Sequence, residues 1–259
     1  MIIQIVCALV PLAFILLFIK EKIDFNRFAK IVYCMVLAFL GILILALVVP
    51  TVFPTGVRDS TSVISIMMYV FLFEALPEEL FKFLTIKKLN AKNKKTLIKD
   101  IFITSTVFMF FENIVYSKNY TGTILFGNII PTAVLRMFIP IHLLSQIIMA
   151  YFMIKAYNEK DKGKNSTGYF ALSLTLPIII HTLYNIINRM IERTKNFLLV
   201  PNIVCLLGII TYILTFIFIR KMMKKYSTDN QEVESISINR IQLIVTVLFI
   251  IFWLYFFKM

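Results

Sequence analysis

Apolar runs of bilayer-spanning length, separated by short basic loops, leave this chain few folds to choose from. A helix needs about 20 predominantly apolar residues to cross the hydrocarbon core. Runs of that kind lie near 2–19, 31–53, 62–84, 100–117, 138–157, 169–188, 198–219 and 241–257. With 59% of the 259 residues hydrophobic and 16% charged, too little polar surface remains for a separate soluble domain. The expected fold is all-α: a polytopic membrane helix bundle with about eight transmembrane helices, forming a single transmembrane domain over 1–259.

Charge placement sets the expected orientation. The net charge of +13 is carried by short loops between the apolar runs, so lipid orientation explains it better than nucleic acid. Most of the 27 Lys and Arg fall in alternate loops: Lys20 to Lys30, Lys87 to Lys99, Lys155 to Lys164, and Arg220 to Arg240. Under the positive-inside rule those loops face the cytoplasm and both termini are extracytoplasmic, in a multi-pass protein of the cell membrane. The first run lacks a basic n-region and an A-x-A-like site, and reads as a retained helix. An even number of crossings must separate the loops at 87–99 and 155–164. The stretch 121–137, with Gly122, Gly127, Asn128 and Pro131, is therefore expected to be an outer loop or a re-entrant segment. Cys7, Cys34 and Cys205 lie far apart in apolar sequence and indicate neither a disulfide framework nor a CxxC site.

Several ionisable residues interrupt these runs. A charged side chain at mid-bilayer costs roughly 2.5–3.5 kcal/mol on insertion scales, so it is paired, hydrated or useful. The third run contains Glu74, Glu78, Glu79 and Lys82, and the fourth Glu112, Asn113 and Tyr116. The only two histidines, His142 and His181, both fall within apolar runs, with Arg136 just before the first. Helical spacing sets Glu78 and Lys82 on one face, with Glu79 three residues from the same lysine. His142 and Gln146 are four apart, as are His181 and Asn185, giving each imidazole a polar neighbour that could orient it or a substrate. Pro77 removes an amide donor just before the acidic pair and disturbs that turn. Taken singly, each residue has a plain structural explanation: a protonated packing Glu, a snorkelling Lys82, or an interhelical His. Their coincidence on four successive helices favours a site.

These motifs resemble those of the PrsW-type intramembrane proteases, relatives of the type II CAAX prenyl endopeptidase and Abi group. The matching features are Glu78-Glu79-Leu80-Phe81-Lys82 as EExxK, Phe108 to Glu112 followed by Asn113, Arg136 with His142, and His181-Thr182-Leu183-Tyr184-Asn185. The similarity covers roughly residues 70–190. The CAAX and Abi branches carry EExxxR, and Phe83 occupies that arginine position here. The resemblance implies hydrolysis of a peptide bond in a membrane-anchored protein, in bacteria typically an anti-sigma factor, by a catalytic core of about 62–190.

Two mechanistic forms follow. In the first, Glu78 or Glu79, positioned by Lys82, takes the proton from a water, while His142 and His181 with Asn185 stabilise the oxyanion or protonate the leaving amine, and Glu112 orients a histidine. In the second, His142, His181 and Glu112 hold a zinc ion with the glutamate pair as base. No HExxH is present, and the metal-free form is placed slightly ahead. Asn113 and Arg136 are assigned to substrate binding. At about 1.5 Å per residue, Glu78 and Glu79 stand about 10 Å out of level with Glu112, His142 and His181, unless tilt, the Pro77 break or a shifted span intervenes. The alternatives are an ion- or proton-coupled transporter or channel, whose pathways also use intramembrane Glu, Lys and His, and a non-catalytic membrane scaffold subunit.

Overall fold

The structure is a computed structural model that describes residues 9–13, 15, 24–52, 63–91, 93–116, 122–125, 128–131, 141–194, 200–226, 242 and 244. The expected spans at 2–19 and 241–257 fall largely outside these residues. The described chain forms α1 (Phe25–Val52), α2 (Val63–Tyr69), a π-helical turn (Val70–Ala75), α3 (Leu76–Leu89), α4 (Lys94–Tyr116), strands β1 (Gly122–Leu125) and β2 (Asn128–Pro131), α5 (Ile141–Asp161), α6 (Thr167–Thr194) and α7 (Val200–Lys225). Every long element is a helix, as the apolar runs require. Several helices continue past their apolar run into charged sequence, as α4 does from Lys94 and α5 does to Asp161. Among the described residues, Phe25–Leu45 and Thr167–Ile187 are by themselves long and apolar enough to cross a membrane.

The stretch 121–137 departs from a simple loop or re-entrant segment. Its described part is an antiparallel pair, with Gly122 opposite Pro131 and Leu125 opposite Asn128. Ile124 in β1 and Ile129 and Ile130 in β2 supply the β-branched residues that favour strands. Arg136 lies outside the described residues.

At the centre of the bundle stands α4. Every residue from Ile101 to Met109 is buried, a pattern of a helix surrounded on all sides. Two of its hydroxyls find acceptors inside the bundle: Thr106 donates to the Phe102 and Ile103 carbonyls, and Ser105 donates to the His142 carbonyl at 3.1 Å, whereas Thr104 Oγ1 is buried without a partner among the described residues. Phe39 of α1 packs against Phe108 and Phe111, with ring centroids 4.7 and 5.3 Å apart. Met149 and Met153 of α5 and Ile219 of α7 join the same core.

Two tight turns fix helix order. Asn90 closes α3 in the left-handed conformation at φ 44°, and Asn93 opens α4 by accepting the Thr96 amide at 2.7 Å. Beyond α5, Gly163 takes φ 69° and donates to the Lys160 carbonyl while Lys164 donates to Glu159, the pair of bonds of a Schellman ending. This turn folds α6 back along α5. His142 and His181, at comparable distances from Gly163 along the two helices, thereby reach the same level.

An ion pair locks the far end of the bundle. Arg27 of α1 donates through Nε to Asp100 Oδ1 at 2.7 Å and through a second guanidinium nitrogen to Oδ2. It also reaches the Leu89 carbonyl at 3.1 Å, capping the end of α3. Both side chains are buried, although the sequence suggests Arg27 only as an orienting loop charge. Replacing one member of such a pair leaves an uncompensated buried charge. Asp100→Ala is therefore expected to lower stability by about 3–5 kcal/mol, and the double change Arg27→Met with Asp100→Leu by less, measured as denaturant unfolding in detergent micelles.

Candidate active site

The local break that Pro77 imposes takes the form of a π-helical turn. Proline cannot donate an amide to Phe73, and the helix before it widens so that the Leu76 amide bonds to Phe71. Glu74 sits on this turn, and Glu78 and Glu79 lie in the first turn of α3.

Glu79 and Lys82 form the buried centre. Both side chains are fully buried, and the Lys82 ammonium donates to Glu79 Oε1 at 2.8 Å. The lysine thus pairs with the glutamate three residues before it rather than with Glu78. Its Nζ also lies 2.9 Å from His142 Nδ1 and 4.3 Å above the Phe108 ring, so a carboxylate, an imidazole and an aromatic face share one cation. Glu79 accepts further bonds from His181 Nδ1 at 3.1 Å and Gln146 Nε2 at 3.2 Å, with Ser145 Oγ at 3.5 Å. Spacing along the helix had joined Gln146 to His142; the side chain turns instead to Glu79.

The hydrogen bonds define the tautomers. An ammonium can only donate, so His142 Nδ1 accepts from Lys82 and its proton sits on Nε2, which bonds to Glu112. His181 gives its Nδ1 proton to the Glu79 carboxylate, leaving the lone pair of Nε2 pointing away from that bond. That nitrogen stands 3.8 Å from Glu78 Oε2, too far for a hydrogen bond. Glu78 Oε2 is itself buried without a hydrogen-bond partner. The two imidazoles meet edge to face at 5.0 Å.

The sequence-assigned residues are therefore largely brought together. Glu78, Glu79, Lys82, Glu112, His142 and His181 converge, and the offset of about 10 Å expected from straight helices does not separate the glutamates from the histidines: Glu79 lies 3.9 Å from His142 and 3.1 Å from His181, and His142 continues to Glu112 through its other nitrogen. Asn185 is bonded to Glu74 at 3.2 Å. Asn113 is buried on α4. Ser105 and Ser145 escaped the sequence reading, since Ser within an apolar run gives no distinctive signal; Phe108 entered it only as the start of the Phe108 to Glu112 motif.

Of the metal-ligating side chains, Glu78, His142 and His181 converge, their donor atoms all within 4.8 Å of one another. Glu112, the carboxylate grouped with the histidines from sequence, instead accepts a hydrogen bond from His142 Nε2. The donor set suits a divalent ion: a partnerless carboxylate oxygen faces an imidazole lone pair whose ring is held from behind by Glu79.

A family model described as PrsW family intramembrane metalloprotease matches residues 27–219, well over half of the chain. The chain belongs to the PrsW family. It is accordingly a membrane peptidase, a hydrolase acting on membrane protein substrates in the bilayer. The matched region contains the whole Glu74–Asn185 constellation. No curated protein and no solved structure matches the chain. The family description also bears on the metal-free form placed slightly ahead from sequence: the family is one of metalloproteases, and the Glu78, His142 and His181 donors give such an ion a place.

Lys82 is the residue whose loss the centre tolerates least. Lys82→Met strands the Glu79 carboxylate in the interior and is expected to lower stability by about 3 kcal/mol or more, read from unfolding in micelles. Lys82→Arg should not restore it, because the planar guanidinium overfills the space under Phe108.

Proposed function

We propose that this PrsW-family protein hydrolyses a peptide bond at Glu78, His142, His181 and Glu112, with Glu79 and Lys82 as the scaffold that holds them. The observation that carries this reading is the pairing of a partnerless Glu78 oxygen with the lone pair of His181. Glu78 and Glu112 retain 13 and 12% side-chain exposure while Glu79 retains none, so those two can meet a substrate and Glu79 cannot.

Glu78, His142 and His181 would hold a divalent ion, zinc by the chemistry of the donor set. When bound, such an ion polarises a scissile carbonyl and makes water a stronger acid. The chain's own groups do the rest. Glu79, fixed by Lys82, His181 and Gln146, orients the His181 ring and keeps its Nε2 unprotonated. Lys82 holds His142 through Nδ1. Freeing His142 Nε2 as a ligand requires its proton to leave, and Glu112 is already bonded there to receive it. In each turnover Glu112 would take the proton of the attacking water and pass it to the departing amine.

The same free oxygen supports an ion-free form in which Glu78 itself takes the proton of the attacking water. Metal content separates the two. Purified active protein should contain about one divalent ion per chain, lost together with activity on chelation, as measured by mass spectrometry of the metal; full activity without bound metal selects the ion-free form.

Site variants give a sharper pattern in a reconstituted cleavage assay. Glu78→Gln and His181→Ala should each lower turnover by about a thousandfold and reduce metal occupancy. Glu112→Gln should keep the metal yet lose roughly 10²–10⁴-fold in turnover, as expected for a missing proton carrier. Normal cleavage by Glu78→Gln would overturn the assignment.

The wider reading carries the sequence expectations forward. Eight spans place the basic loops in the cytoplasm and both termini outside, the core lies at about 62–190, and by family resemblance the substrate is a membrane-anchored protein such as an anti-sigma factor. Asn113 and Arg136 remain assigned to substrate contact.

A further inference from the structure

One carboxylate of the constellation has no part in the chemistry above. Glu74, on the π turn, accepts a hydrogen bond from Asn185 Nδ2 at 3.2 Å. One helical turn further on, Glu78 faces His181. The first member of each pair advances by four residues from Glu74 to Glu78, and the second retreats by four from Asn185 to His181. The two pairs are therefore successive rungs between antiparallel elements, about 6 Å apart at 1.5 Å per residue.

That spacing matches an extended polypeptide, in which two residues advance about 6.6 Å. The chemistry matches as well. A carboxylate accepts several N–H groups at once, and the Asn185 amide has a second N–H and a carbonyl oxygen beyond its bond to Glu74. Both side chains are partly exposed, in contrast to the sealed Glu79 and Lys82. A substrate that enters from the bilayer as a helix must unwind before it can be cut, and unwinding bares backbone groups that hydrocarbon cannot satisfy. A half-open polar rung beside the cleavage point supplies partners for them.

We propose that Glu74 and Asn185 form a subsite for the extended backbone of the substrate polypeptide, centred two residues from the scissile bond. This rests on the peptidase reading above. It makes Glu74 a substrate-binding residue rather than a packing acid, and gives Asn185 a hold on the chain next to the bond that is cut.

The test uses the full-length protein in micelles and quenched fluorescent apolar peptides, truncated one residue at a time on either side of the bond that the wild-type protein cuts. On one side, removing the second residue from the bond should lower kcat/KM by about tenfold, mostly through KM, as expected for two lost hydrogen bonds. Glu74→Leu and Asn185→Leu should abolish that step, so that long and truncated peptides react alike, whereas Glu74→Gln, which keeps an acceptor oxygen, should retain most of it. Melting of each variant is recorded in parallel. Persistence of the step in both Leu variants, or its absence in the wild type, overturns the subsite. Equal losses on every peptide with a lowered melting temperature also overturn it, and reduce the pair to an interhelical tie. Glu78→Gln is assayed alongside: if it cuts as fast as the wild type, the peptidase site itself is misplaced and the subsite falls with it.

Discussion

A single buried ammonium organises the middle of this bundle. Lys82 is sealed from solvent, yet it contacts a carboxylate, an imidazole nitrogen and an aromatic face contributed by three helices. Desolvating a charge costs several kcal/mol, which excellent geometry and added hydrogen bonds can offset. Here Glu79 is the counter-charge, and His181, Gln146 and Ser145 complete its shell. The polarity of each imidazole follows from this pair: one ring must accept from the lysine, the other must donate to the glutamate. Two chemically identical histidines are thereby given opposite tautomers, the proton on Nε2 in His142 and on Nδ1 in His181.

Much of this was written in the sequence because membrane insertion makes polar residues conspicuous. Glu78, Glu79, Lys82, Glu112, His142 and His181 stand out against Ile, Leu and Phe, and the structure gathers all six. Their partners were less legible. Spacing along a helix identifies residues on one face but not what that face meets: it sets Gln146 beside His142 although Gln146 serves Glu79, and it offers Lys82 both Glu78 and Glu79 without choosing between them. Arg27 looked like one more loop cation, since nothing in its neighbourhood points to Asp100. The π turn is a similar case: Pro77 announces a disturbance, but only the hydrogen bond from the Leu76 amide to the Phe71 carbonyl shows the form it takes. The strand pair at Gly122–Pro131 arises where Gly and Asn mark turns, and its β-branched residues carried too weak a signal among so many apolar neighbours.

Division of labour among the acids follows from burial rather than identity. Glu79 is engaged at both oxygens and closed to solvent, a fixed charge. Glu78 keeps one oxygen without a partner, Glu112 accepts a bond from His142, and Glu74 lies one turn away on a widened stretch of helix. Four glutamates that look interchangeable in the sequence are separated by what each touches.

The Arg27–Asp100 pair has a consequence for how the protein is made. Its members are 73 residues apart, and at ribosomal speeds of about 5–20 residues per second the arginine is synthesised several seconds before its partner. During that interval α1 cannot pack that end without burying an uncompensated guanidinium. The seating of Phe25–Val52 is therefore completed only after the start of the central helix has been made.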